Sequence, residues 1–220
     1  MRRTKEDAEK TRLALLASAE RLFLEKGVAH TSLDQIARDA GVTRGAVYWH
    51  FQNKAHLFHE MLNQVRLPPE QITERLCNCN QQEPLLTLRD LCVEGIQALA
   101  SEEQKRRIMT ILLHRCEFTD DLREAEERHH AFINQFIDLC EQLLERAASS
   151  LWPGLTPRIA ALSLHALLVG LLTDWTRDNS LYTPETDSAT LIDPLFRGLI
   201  RDWDARLAAA RLGRAPQPSV

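Results

Sequence analysis

The chain has 220 residues, 44% of them hydrophobic and 26% charged, and a formal net charge of −4. That balance excludes a disordered chain and a collagen, and five scattered cysteines in an odd count exclude a secreted disulfide scaffold. The opening Met1-Arg2-Arg3-Thr4-Lys5-Glu6-Asp7 lacks the apolar core of a secretory signal, and the most apolar stretch, Ile159 to Thr173, is broken by Ser163 and His165 and is too short for a membrane span. The expectation is a cytoplasmic protein with no membrane partner. Charge is unevenly spread. Residues 1–60 hold ten Lys and Arg against eight Asp and Glu, net +2, whereas residues 61–220 hold 17 against 23, net −6. A polyanion is therefore better received by the N-terminal quarter.

Eight glycines and nine prolines punctuate helical patterns, and no run alternates in the manner of a strand. The chain reads as all-α, with about nine helices. The first is predicted over 6–25, where Leu15, Leu16, Ala19, Leu22 and Phe23 form one apolar stripe and Gly27 supplies a left-handed C′ residue. Thr31 is the expected N-cap of a second helix, whose inner face is Leu33, Ile36, Ala37 and Ala40. Gly41-Val42-Thr43 is a turn, a short third helix covers 44–50, and Asn53 caps a fourth helix that starts at Lys54 and is broken by Pro68-Pro69. Further helices are expected near 70–79, 84–100, 103–115, 119–149, 157–178 and 187–210, with a frayed tail over 213–220. The 157–178 segment is apolar on nearly all sides and 187–210 carries a broad apolar stripe, so together they predict a dimer face.

Residues 31–54 place two short helices around a glycine-containing turn, the helix-turn-helix layout whose second helix enters a DNA major groove. The chemistry agrees. Thr43 and Arg44 open that helix, where backbone N–H groups and a cation meet phosphate or guanine. Gly45 and Ala46 are small enough for close approach to the bases. Tyr48, Trp49 and His50 offer a phenol, an indole and an imidazole as donors to phosphate oxygens. Lys54 and Thr31 are the expected phosphate contacts at the neighbouring helix starts. Val47 and Phe51 are assigned to the small core, because three consecutive rings on so short a helix cannot all point inward.

The run Gly41-Val42-Thr43-Arg44-Gly45-Ala46-Val47-Tyr48-Trp49-His50-Phe51 resembles the helix-turn-helix of the TetR family of transcriptional repressors. Arg3-Thr4-Lys5-Glu6 and His114-Arg115-Cys116-Glu117-Phe118-Thr119-Asp120-Asp121 are similar to its AcrR branch, which represses multidrug efflux-pump operons. The resemblance implies a homodimer with a DNA-binding domain over 1–54 and a ligand-binding and dimerisation domain over 55–212. It implies binding to a palindromic double-stranded operator, release by a hydrophobic or amphipathic effector, and pairing through helices 157–178 and 187–210. It makes Thr31, Arg44, Gly45, Tyr48, Trp49, His50 and Lys54 the DNA contacts. It places Val65, Arg66, Met109, Leu113, Ile133, Phe136, Leu168, Val169 and Thr173 near the effector.

From the residues themselves, His129, Phe132, Ile133 and Phe136 share one helix face, and His165 interrupts an apolar helix. His165 is either a core histidine bonded to a backbone carbonyl or the polar anchor of an apolar pocket. Phe132 and Phe136 are equally either core or ligand contacts. No nucleophile elbow, phosphate loop or metal-ligand spacing accompanies His114, Arg115 and Glu117, so a polar network is expected there, with no enzyme and no cofactor. Cys77-Asn78-Cys79 lacks zinc-site spacing. An alternative keeps the DNA binding but makes the signal a metal or an oxidant, sensed by Cys77, Cys79 or Cys116.

Overall fold

Charges at both ends of the first helix oppose its dipole. The computed structural model describes residues 5–65, 74, 83–117, 119 and 122–213. In it α1 spans Lys5–Lys26, with Glu6 and Asp7 in the first turn and Lys26 in the last. Gly27 then takes φ +86°, open to glycine at little cost, and its N–H still reaches the Phe23 carbonyl at 2.9 Å. The second helix, α2, covers Leu33–Asp39. Its N-cap is Ser32, not the expected Thr31: the Ser32 hydroxyl accepts from the Gln35 N–H while the Gln35 side chain returns to the Ser32 N–H. Gly41, at φ +67°, turns the chain into α3, Arg44–His50, which Thr43 caps. Asn53 caps α4, Lys54–Leu62, as expected, accepting the His56 N–H at 2.7 Å.

These four helices close around one apolar centre. Leu15, Leu16, Phe23, Ile36, Val47, Phe51, Leu57 and Phe58 are all buried. Each such side chain contributes about 1.5–3 kcal/mol by leaving water. Phe23 and Phe58 meet edge to face with ring centroids 6.0 Å apart. The same compact unit takes in residues 101–133 and 176–178. There α6, Glu103–Thr110, which follows α5 (Pro84–Ser101) in the chain, runs into a π-helical turn at Ile111–Arg115. The Arg115 carbonyl accepts the Val28 N–H at 2.8 Å, fixing the α1–α2 loop. His114 Nε2 lies 2.9 Å from the Thr176 hydroxyl, part of the polar network expected there.

The second compact unit comprises residues 83–100, 134–175 and 179–213 among those described. Its helices are α5, the later part of α7 (Arg123–Arg146), most of α8 (Pro157–Arg177), α9 (Pro184–Leu199) and α10 (Trp203–Gly213). Two expectations are corrected. The segment 119–149 begins its helix only at Arg123, ends it at Arg146 and closes with a 3₁₀ turn at Ala148–Ser150. The segment 187–210 is two helices, because Ile200 is extended (φ −115°, ψ 123°) and bridges to Leu151. The Trp152 N–H donates to the Leu199 carbonyl at 3.1 Å and the Arg201 N–H to the Ser150 carbonyl at 2.9 Å, while Trp203 stacks on Phe196 at 4.6 Å. The helix expected near 70–79, the Pro68-Pro69 break and the tail beyond Gly213 lie outside the described residues.

α8 is longer than the apolar stretch read from the sequence. Over its most apolar window its mean hydropathy is 1.5, enough by length and composition to cross a bilayer, and 33% of that window is buried. Ile159, Leu162, Ala166, Val169 and Gly170 lie exposed along one side.

Arg89 on α5 fastens to α9. Its Nε and Nη2 donate to the two Asp193 oxygens at 2.7 and 3.0 Å, and its Nη1 to Asp90 at 2.9 Å. Side chains of Arg89 and Asp193 are only 14% and 11% exposed. Replacing Asp193 by Ala leaves the buried guanidinium with Asp90 alone and is expected to lower the unfolding free energy by about 3 kcal/mol. Asp204→Ala, which breaks the exposed pair with Arg197, is expected to cost less than about 1 kcal/mol. Urea unfolding of both variants checks this. Equal losses contradict it.

Candidate nucleic-acid interface

A seven-residue helix has room for few inward side chains. In α3 these are Val47, and Phe51 just after the last turn, both buried as expected. Consecutive helical residues are separated by about 100° around the axis, so anchoring Val47 and Phe51 turns Tyr48 and Trp49 outward. Tyr48 is 47% and Trp49 72% exposed. The His50 ring is half-buried and meets the Trp49 ring edge-on, centroids 4.5 Å apart. At the other end Thr43 is exposed and its hydroxyl accepts the Ala46 N–H at 3.3 Å. No heavy atom lies within 4 Å of where a Cβ would stand at Gly45, and Ala46 is half-buried. The small residues at the start of α3 thus leave its backbone open to close approach.

Arg44 is held rather than loose. Its Nε stands 3.0 Å from Asp34 Oδ1, and its guanidinium carbon lies 5.6 Å from the centre of the Tyr48 ring. Hydrogen bonding to Tyr48, then the Asp34 charge, raises the Arg44 pKa above its ordinary value. A depression of about 360 Å³ lies beside this group, lined in part by His30, Ser32, Asp34, Arg44, Tyr48 and Lys54.

Two expected contacts are placed differently. Thr31 is 1% exposed, and its hydroxyl donates inward to the Gly27 carbonyl at 2.8 Å. It is a brace of the α1–α2 loop, and the exposed hydroxyl at the start of α2 belongs to Ser32. Lys54 is half-buried, and its Nζ donates to the Val28 carbonyl at 3.2 Å. Ser32 was legible in the sequence, since Ser32-Leu33-Asp34-Gln35 fits the capping-box pattern. The Asp34–Arg44 pair carried no such signal, because ten positions separate the partners.

The expected effector residues divide between the two units. In the first, Val65 and Met109 are buried and Leu113, His129, Phe132 and Ile133 are half-buried. Arg66 lies outside the described residues. In the second, Phe136 is buried and its ring lies 6.3 Å from that of His165. His165 is half-buried, and burial lowers its pKa, which favours the neutral imidazole. Leu168 is buried and Thr173 half-buried. Val169 is 37% exposed on the same side of α8 as Ile159 and Leu162. It is therefore placed on the exposed apolar stripe rather than against Phe136.

Residues 15–61 match the bacterial regulatory proteins of the tetR family, and residues 83–201 match the C-terminal region of MAATS-type transcriptional repressors. The chain belongs to the TetR family. It is 37% identical over 177 residues to the HTH-type transcriptional regulator TtgR of Pseudomonas putida, covering 80% of this chain and 84% of TtgR. Among solved structures it is similar to NalD, the secondary repressor of the MexAB-OprM multidrug efflux pump in Pseudomonas aeruginosa. That likeness has 65% identity and a TM-score of 0.84, and covers 90% of this chain and 100% of the other. It is also similar to SmeT of Stenotrophomonas maltophilia in its complex with triclosan, at 33% identity and a TM-score of 0.74, covering 88% of this chain and 93% of SmeT.

The chain is thus a DNA-binding transcriptional regulator. The metal or thiol alternative gains no support. Cys77 and Cys79 lie outside the described residues, and among those described no three His, Cys, Asp or Glu side chains gather as metal ligands. Burial pushes the Cys116 thiol up to about 11, so it is protonated at neutral pH, the opposite of a reactive sensor thiol. Iodoacetamide labelling of Cys116, followed by peptide mass spectrometry, is expected to accelerate about tenfold per pH unit from pH 7 to about 10. A plateau already reached near pH 8 contradicts that environment.

Proposed function

We propose that this chain represses a multidrug efflux-pump operon in the cytoplasm. It binds a palindromic operator as a homodimer and leaves it when a hydrophobic or amphipathic compound binds its C-terminal region. The observation that carries the reading is the outward pair Tyr48 and Trp49, forced out by buried Val47 and Phe51 on a helix that follows a tight turn. Similarity to NalD and TtgR supports the efflux-pump role.

On this reading Thr43 and Arg44 meet phosphate or guanine at the start of α3, and Gly45 and Ala46 let the backbone approach. Tyr48, Trp49 and His50 reach phosphates, sugars and thymine methyl groups. Lys54 acts from beneath, by tying α4 to the α1–α2 loop. The dimer pairs through α8 and α9. Support comes from the exposed stripe Ile159, Leu162, Val169 and Gly170, and from the open space around Gly170 and Gly198, which lets a second helix come close. For the effector, Phe136 supplies an apolar wall and His165 a neutral polar anchor, the usual make-up of a small-molecule site. The triclosan bound to SmeT supports a phenolic or similarly hydrophobic ligand. A ligand that binds one arrangement of the dimer better than the other shifts the population away from the DNA-binding one.

Fluorescence anisotropy with the duplex upstream of the protein's own gene tests this, at about 0.15 M salt against a scrambled duplex. The expected result is operator binding at least a thousandfold tighter than to the scrambled duplex, released by at least one compound of a panel of hydrophobic antibiotics and phenolics. Tyr48→Ala is expected to weaken operator binding at least tenfold while the sedimentation coefficient of the dimer stays unchanged. Equal affinity for both duplexes contradicts the repressor reading.

A further inference from the structure

We propose that Asp34 is a specificity-determining residue of the interface. It anchors the Arg44 guanidinium and opposes contact with phosphate, so that Arg44 is offered to base edges. This rests on the reading of α3 as the DNA-facing helix.

The two residues sit at the starts of different helices. Asp34 is in the first turn of α2, and Arg44 is the first residue of α3. The turn between them is fixed by backbone bonds, with the Val42 N–H on the Ala37 carbonyl at 2.9 Å and the Gly41 N–H on the Arg38 carbonyl at 3.2 Å. The distance between the two side chains is therefore set by the fold. Both remain open to solvent, Arg44 at 68% and Asp34 at 42%. Asp34 Oδ1 is itself shielded, and it receives no aligned hydrogen bond although Arg44 Nε is 3.0 Å away. The pair is held by charge, with the N–H not directed along the line of contact. On its other side the guanidinium stands over the Tyr48 ring.

An arginine without such a partner swings through many rotamers and settles on the nearest phosphate, a contact that carries no sequence information. A carboxylate at Nε changes both tendencies. It narrows the positions Arg44 takes and leaves the remaining N–H groups for a two-point contact with guanine. It also places one negative charge where a phosphate would approach, which weakens binding to any duplex. The carboxylate can itself accept from a cytosine amino group. Asp34 thus lowers affinity everywhere and lowers it most where the sequence is wrong.

The test is a double-mutant cycle of Asp34→Asn and Arg44→Ala in the full-length protein. Each variant is titrated with the upstream duplex and with a scrambled duplex between about 50 and 200 mM salt. Asp34→Asn is expected to tighten scrambled-duplex binding about threefold or more, to steepen the salt dependence by about 0.9 in log–log slope, and to lower the operator-to-scrambled ratio at least threefold. Asp34→Glu, which keeps the charge, is expected to restore most of that ratio. In an Arg44→Ala background, Asp34→Asn is expected to leave the ratio unchanged. A ratio unaltered by Asp34→Asn alone overturns the proposal, as does an equal fall in both backgrounds. Arg44→Ala with undiminished operator affinity refutes the DNA-facing reading of α3 itself, and the proposal falls with it.

Discussion

Everything in the helix-turn-helix depends on how α3 is anchored. The helix has seven residues, about two turns, and it is held to the core by Val47 and by Phe51 immediately after it. Once those two are inside, the rotation of the helix is settled, and the large rings next to Val47 have nowhere to go but outward. Exposing an indole to water is unfavourable in a free protein. The chain bears that cost where a partner surface is available. The loops on either side are stiffened to match. Thr31 and Lys54 both bond backbone carbonyls near Gly27 and Val28, and the Arg115 carbonyl takes the Val28 N–H. α3 is thus presented from a braced frame, which fixes the direction of its outward residues.

The C-terminal unit shows the same logic at another surface. Its interior is closed by Leu88, Cys92, Ile96, Phe136, Cys140, Phe196 and Trp203, all buried, and by the Arg89–Asp193 pair. Burial pushes the Cys140 thiol up to about 12 and raises Cys92 well above its ordinary value, so both act as small apolar side chains. Along one side of α8 the residues left outside are apolar, as they would not be on a solitary helical domain. α8 carries Ile159, Leu162 and Val169 to the surface beside Gly170. An exposed apolar stripe of that length on a rigid helix is the feature expected of a face that meets a second copy.

Much of this was legible in the sequence. Apolar spacing located α1 to α4 and their inner faces, glycine marked the ends at Gly27 and Gly41, and Tyr48-Trp49-His50 announced an outward cluster. Ser32 rather than Thr31 caps α2 because two adjacent hydroxyl residues compete for one cap, and only Ser32 has Gln35 in register to reciprocate. The break at Ile200 was hidden because the apolar stripe continues through it: Phe196 and Trp203 are both inside, and periodicity reports which side is buried, not whether the backbone is continuous. The effector residues were the least legible. A phenylalanine on a helix face has the same spacing whether it fills a core or lines a ligand site, and the structure brings Phe136 beside His165. Charge pairing across ten positions, as between Asp34 and Arg44, leaves no periodic trace at all.

On the proposed function, the rings that α3 turns outward are the ones that DNA covers. Hydroxyl-radical footprinting of the protein with and without saturating operator duplex tests it directly, because the protein carries its own control. Trp49 on α3 and Trp152 in the C-terminal unit are both exposed, at 72% and 46%. Operator binding is expected to lower oxidation of Trp49 at least severalfold while Trp152 is oxidised as in the free protein. Undiminished oxidation of Trp49 on saturated operator would contradict it.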